Sequence, residues 1–232
     1  MQNNVRPLRP PGLAPPPGPK PKPTRDTTKN VPAVKVDVNA DRRKKKAGDE
    51  AESWALAALI TPLLALDDED RRNAIEEVLG LLEDYRFLGE AVDQIRAYGR
   101  EAMTSGRDDE ELTHHLSKLI HASNVSDMFG FDMLGWLPDE AEASGRPIAL
   151  EVKNSSDGTF YLSSGEWQCG ERLRATDNAP AAYAVLVVRR KPGSDAPVAM
   201  DLLVDPVHLH ETAQLKLDVD TYRASYGAPS PR

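Results

Sequence analysis

Ile148-Ala149-Leu150-Glu151-Val152-Lys153 is the stretch on which the reading of this chain turns. Its apolar residues bracket two charges two positions apart. In a strand, successive side chains point to opposite faces, so Glu151 and Lys153 share one face while Leu150 and Val152 take the other. Working outward, residues 128–137 form a second extended run, joined to residues 147–153 by the polar segment 138–146, which suits an antiparallel hairpin with a long loop. A helix is predicted before the pair, over residues 108–121, with Leu112, Leu116, Leu119 and Ile120 on one face. After it come a short helix over 163–176 and a strand over 182–189, apolar on both faces as a central strand should be. Lys191-Pro192-Gly193-Ser194 then makes a turn into a last strand over 198–204. The predicted class is α/β, a mixed β-sheet flanked by helices.

A carboxylate and an amine on one strand face make a candidate site. If the preceding strand pairs antiparallel, Asp132 reaches the same face. Asp132 and Glu151, with the Val152 carbonyl, are hard oxygen donors suited to Mg²⁺ or Mn²⁺. Such an ion acidifies a bound water and neutralises charge on a phosphodiester, and a nearby lysine orients the nucleophile or stabilises the transition state. Glu-x-Lys alone is a weak signal, since alternating charges also decorate solvated strands. Its weight comes from the upstream Asp132 and from the order of the surrounding elements.

That order resembles the PD-(D/E)XK nuclease superfamily. More narrowly, five stretches are similar to the NO VEIN C-terminal domain. They are Gly130-Phe131-Asp132-Met133, Leu150-Glu151-Val152-Lys153, Phe160-Tyr161-Leu162-Ser163-Ser164-Gly165-Glu166-Trp167, Tyr183-Ala184-Val185-Leu186-Val187-Val188 and Val204-Asp205-Pro206. The resemblance covers about residues 107–210. It implies a restriction-endonuclease-like core in which Asp132 and Glu151 are metal ligands, Lys153 is the catalytic lysine, and the acid on the preceding helix is Glu111 or Glu110. It departs from the usual pattern in having Asn154 after the lysine and Gly165 before Glu166-Trp167. Domains of this kind often accompany ATPase modules, so the implied partners are DNA and a partner ATPase or other defence-system protein.

The rest of the chain divides by composition. Residues 1–46 carry 12 Lys and Arg against 3 Asp and Glu, net +9, which leaves 17 against 34, net −17, on the remainder. Residues 1–48 read as a disordered, Pro-rich, basic arm, with Arg42, Arg43, Lys44, Lys45 and Lys46 as a candidate nucleic-acid contact; a solvated linker is the plainer alternative. Residues 49–106 read as an α-helical module. Asp67-Asp68-Glu69-Asp70 open a helix in which Ile75, Val78, Leu79, Leu82 and Tyr85 form one stripe, continued by Leu88, Val92, Ile95 and Tyr98 past a bend near Gly89. Residues 107–212 are the α/β domain and 213–232 a C-terminal tail.

Other features narrow the function. The single cysteine, Cys169, excludes a disulfide framework, and with no signal-peptide-like segment it points to the cytoplasm. The most apolar run, residues 54–66, is broken by Thr61-Pro62 and is too short to span a bilayer, so it reads as a core helix. Ser163-x-x-Glu166 has the form of a capping box, making Glu166 structural before catalytic. Gln168 is a candidate substrate contact, and Trp167 an anchor of its helix on the sheet. The five histidines lack the ligand spacing of a zinc site. The expected function is Mg²⁺-dependent cleavage of DNA phosphodiester bonds in a bacterial restriction or defence setting. The alternative is a non-catalytic nucleic-acid or protein interaction module of the same fold.

Overall fold

Residues 5–8, 38–105, 109–138, 145–176, 179–190, 197–218 and 223–226 are described by the computed structural model of the chain. The hairpin inferred from the sequence forms one side of its main sheet. Strand β2 (Met133–Pro138) pairs antiparallel with β3 (Gly145–Ser155), Met133 opposite Leu150 and Gly135 opposite Ile148. β3 pairs in parallel with β5 (Tyr183–Arg190), and β5 antiparallel with β6 (Pro197–Val204). The backbone of β1 (Val5–Leu8) adds an edge strand, giving the order β1-β6-β5-β3-β2. The sheet is mixed, as expected. β5 is buried along six consecutive residues, which is what a central strand covered on both faces requires.

Helices cover both faces. Helix α1 (Val38–Ala65) lies over the face that carries Gly135, where a Cβ would stand 2.6 Å from the Leu59 side chain. Helix α5 (Ser164–Arg172) lies over the other face, with Gly170 against the ring of Tyr183. The register places these contacts on opposite sides, since Gly135 faces Ile148 and Tyr183 faces Ala149. Helix α6 (Pro206–Glu211) begins at Asp205, whose left-handed backbone (φ 52°) and side chain cap its first turn; the Val204-Asp205-Pro206 motif is therefore a helix start.

Four sequence expectations change. The helix of residues 54–66 is not broken at Pro62: α1 runs through it, because Leu59 and Leu63 on either side are buried and their packing outweighs the lost backbone bond. α1 also starts at Val38, so the Arg42 to Lys46 run lies on a helix and not on a disordered arm reaching to residue 48; residues 1–4 and 9–37 are outside the described residues. Nor is the helical segment a separate module. Helices α2 (Asp68–Gly80), α3 (Glu90–Thr104) and α4 (Asp109–Ile120) contribute Ile75, Val78, Ile95, Leu112 and Leu116 to one apolar core shared with the sheet. The predicted bend is present: a 3-10 segment over Leu81–Leu88 ends at Gly89 (φ 44°), where α3 begins. Beyond residue 212, β7 (Leu215–Asp218) and β8 (Arg223–Tyr226) join β4 (Thr159–Tyr161) in a small second sheet, where a tail was expected. Among the described residues, no helix is long and apolar enough to cross a membrane.

Candidate active site

The loop leading into β2 builds one wall of the site. Ser126 caps a 3-10 turn over Asp127–Phe129, and Gly130 then adopts a left-handed conformation (φ 77°) that returns the chain toward the sheet. A Cβ at Gly130 would sit 3.2 Å from the Gly165 carbonyl and 3.3 Å from Cys169, so glycine allows the loop to lie against α5. Two residues later comes Asp132, one position before β2. Its N–H donates to the Leu150 carbonyl (3.0 Å), and its Oδ2 accepts the Val152 N–H (2.7 Å). The carboxylate thus replaces the backbone acceptor that β2 would have supplied had it started earlier.

Glu151 and Lys153 share a face, as their spacing predicts. Lys153 Nζ lies 2.6 Å from Glu151 Oε1 and 3.0 Å from Glu166 Oε2. Glu166 reaches Lys153 because it is fixed at its root: Ser163 Oγ accepts the Glu166 N–H, and Glu166 Oε2 accepts the Ser163 N–H at 2.8 Å. The capping reading holds, and the same carboxylate also pairs with the lysine. Asp132, Glu151, Glu166, Gln168 and Arg172 line an open cavity of about 400 Å³. Gly165 also lines it; a Cβ there would meet only Ser163 Oγ at 3.9 Å, so the missing side chain widens the mouth.

Electrostatics mark this cavity as a place that wants positive charge. Glu151 is 4 % exposed. Burial, and then the charges of Asp132 and Glu166, hold its carboxyl well above the usual range against the pull of Lys153. Asp132 is raised by burial and by Glu52 and Glu166, with the Val152 N–H opposing. Burial disfavours the Lys153 ammonium, yet Glu151 and Glu166 outweigh it and hold it above its ordinary value. The Tyr183 hydroxyl is buried and finds no hydrogen-bond partner among the described residues, its phenol pushed up by burial and by the charge of Glu151.

No family model, curated protein or solved structure matches the chain. The site therefore has to be judged by its own geometry. Asp132, Glu151 and Gln168 line the cavity; Lys153 does not line it but pairs with Glu151. Glu111 is elsewhere: it is exposed on α4, 3.8 Å from His115, whose other ring nitrogen faces Glu101. Glu110 is exposed beside it, and neither lines the cavity. The reason is rotational. Burying Leu112, Leu116 and Leu119 turns the neighbouring acids toward solvent and α3. The helical acid that acts on Asp132 is instead Glu52 of α1, which also binds His121 at 2.9 Å. No sequence signal marked Glu52, because a helix nearly eighty residues upstream had been assigned to another module.

Other expected contacts are elsewhere. Lys46 pairs with Glu50 one turn on (3.5 Å) and does not line the cavity; the side chains of Arg42, Arg43, Lys44 and Lys45 are outside the described residues. Trp167 is partly buried against the apolar core and packs edge-on on His210 of α6. Among the described residues, no three His, Cys, Asp or Glu side chains stand ready as a metal cage. Two carboxylates and a carbonyl are a smaller demand. Since Val152 gives its N–H to Asp132, strand alternation turns its carbonyl to the same open edge, away from β5. The donor set Asp132, Glu151 and the Val152 carbonyl fits a hard divalent cation such as Mg²⁺ or Mn²⁺.

Proposed function

We propose that the chain is a Mg²⁺-dependent, nuclease-like protein that cleaves DNA phosphodiester bonds, in a bacterial restriction or defence setting. One observation carries the reading: Asp132 and Glu151 line one open cavity, and Lys153 pairs with Glu151 beside it. Asp132 and Glu151 would hold the ion, which when bound supplies Lewis acidity and a more acidic water. Lys153 places its ammonium beside those carboxylates, where it stabilises the charge that builds on a phosphate attacked by water. Glu166 orients Lys153 from the opposite side and is a positioning residue. DNA and a partner ATPase or defence-system protein remain the proposed partners.

A second reading has its own support. Lys153 is already engaged by two carboxylates, and the helical acid expected from the resemblance is absent from the cavity, which suits a non-catalytic interaction module. Nicking of plasmid DNA with Mg²⁺ or Mn²⁺ separates the two. Lys153→Ala should lose cleavage by on the order of a hundredfold or more while keeping metal and DNA binding, since its charge acts on the transition state. Asp132→Asn and Glu151→Gln should each weaken ion binding by calorimetry. Equal cleavage by wild type and Lys153→Ala rejects the catalytic assignment; silence of both, with partner extract added, favours the module.

A further inference from the structure

The cations around the sheet are nearly all matched by acids. Lys153 is held by Glu151 and Glu166, Arg174 by Glu211, Arg189 by Asp201 and Arg190 by Glu50. Arg172, at the last turn of α5 and on the cavity wall, differs. Its guanidinium lies 4.6 Å over the ring of Tyr85 and donates to the Tyr85 hydroxyl at 2.9 Å. Cys169 Sγ stands 3.1 Å from the same hydroxyl. No carboxylate is within ion-pair distance of Arg172 among the described residues. Tyr85 and Cys169 are both buried, and burial holds the phenol and the thiol above their ordinary values, so both stay neutral at neutral pH.

A full positive charge is therefore fixed in orientation by neutral groups, at the rim of a cavity whose floor is acidic. Stacking on Tyr85, with hydrogen bonds to its hydroxyl and to Cys169, fixes the plane of a guanidinium that lines the cavity and has further N–H groups to donate. Such a group is complementary to a planar or tetrahedral oxyanion. Phe87 stacks on the same Tyr85 ring with centroids 6.2 Å apart; it is 68 % exposed and lies outside the cavity lining. An exposed ring that shares Tyr85 with an oriented arginine offers a nucleobase a face as well as its phosphate a charge.

We infer that Arg172, held by Tyr85, is a phosphate-binding subsite for a nucleic-acid strand entering the cavity, with Phe87 as a stacking surface for one of its bases. The choice of a nucleic-acid strand as ligand rests on the nuclease reading; the anion subsite itself does not require cleavage. Arg172 then binds a phosphate neighbouring the one that a cation on Asp132 and Glu151 would hold, and so sets the strand's register.

Fluorescence anisotropy with a labelled single-stranded oligonucleotide tests this on the full chain, once in chelator and once with Ca²⁺, across a salt series. Arg172→Gln should weaken binding by on the order of ten- to a hundredfold, the loss expected for one charge-assisted contact. It should also reduce the slope of log affinity against log salt by roughly 0.7, the share of one single-strand phosphate contact. Arg172→Lys keeps the charge and should restore the slope but only part of the affinity. Phe87→Ala, at an exposed position, should weaken binding severalfold with the slope unchanged. Arg172→Gln equal to wild type in affinity and slope in both series overturns the proposal. So does a wild type that binds inorganic phosphate but no oligonucleotide, or neither. If the arginine effect appears and plasmid nicking does not, the subsite stands and the catalytic reading falls.

Discussion

Glu151 has lost its water on nearly every side and keeps one cation, Lys153, against two other acids. Its folded-state pKa lies well above the ordinary 4.5, so the fold favours the neutral form. That stabilisation is complete below about pH 4.5 and is lost as pH rises through the folded value, where ionisation must be forced on a buried group. Glu151→Gln is neutral at every pH. It should match wild type in thermal stability near pH 4 and exceed it increasingly toward neutrality, and Mg²⁺ should narrow the gap by stabilising wild type alone. A gap that ignores pH would show that Glu151 titrates normally. Part of this residue-scale picture was legible beforehand, because alternation along a strand forces Glu151 and Lys153 together. Tyr183 and Arg172 were not, since a tyrosine in an apolar run and an arginine ending a helix become informative only once α5 is laid on the sheet.

Helix α5 links the fold to the site through its first turn. Its capping box uses Glu166 twice, once to bind the Ser163 N–H and once to bind Lys153. Ser163→Ala removes one half of the box and should destabilise the protein by about 1 kcal/mol in urea unfolding. It should also lower cleavage more than a distant cap of equal stability cost, for example Asp67→Ala at the start of α2. Equal activity in the two variants would reduce Glu166 to a cap. Elements were read more accurately than their ends. Residues 128–137 looked like one strand because Phe129, Phe131 and Met133 alternate, but both phenylalanines turn onto Tyr85 (5.6 and 5.5 Å) and the strand begins only at Met133. The alternation was real, and its cause was an aromatic cluster preceding the sheet. Gly130, with its positive φ, was the local sign that the run is bent.

At the scale of the molecule, the helices before residue 106 and the sheet after it close one core. Leu59, Leu63, Ile75 and Tyr85 are buried together with Leu134, Ile148 and Leu186. A fragment of residues 107–232 would expose that apolar face, and at about 25 cal/mol per Å² the loss exceeds any plausible net stability. It should show no cooperative melting transition by circular dichroism, whereas the full chain should melt once. A cooperative melt of the fragment would restore the two-module division. That division arose from composition: the polar stretch around residue 106 looks like a linker, and sequence periodicity does not show which distant surface a helical stripe covers. The bond from the Val152 N–H to Asp132 has one more consequence. Because it pins β3 against slippage at the Glu151 end, where a one-residue shift would send that side chain to the opposite face, the far end of the hairpin is free of that duty. A reporter peptide spliced in between Pro138 and Gly145 should therefore leave the Asp132–Val152 bond, at the other end of the same two strands, undisturbed.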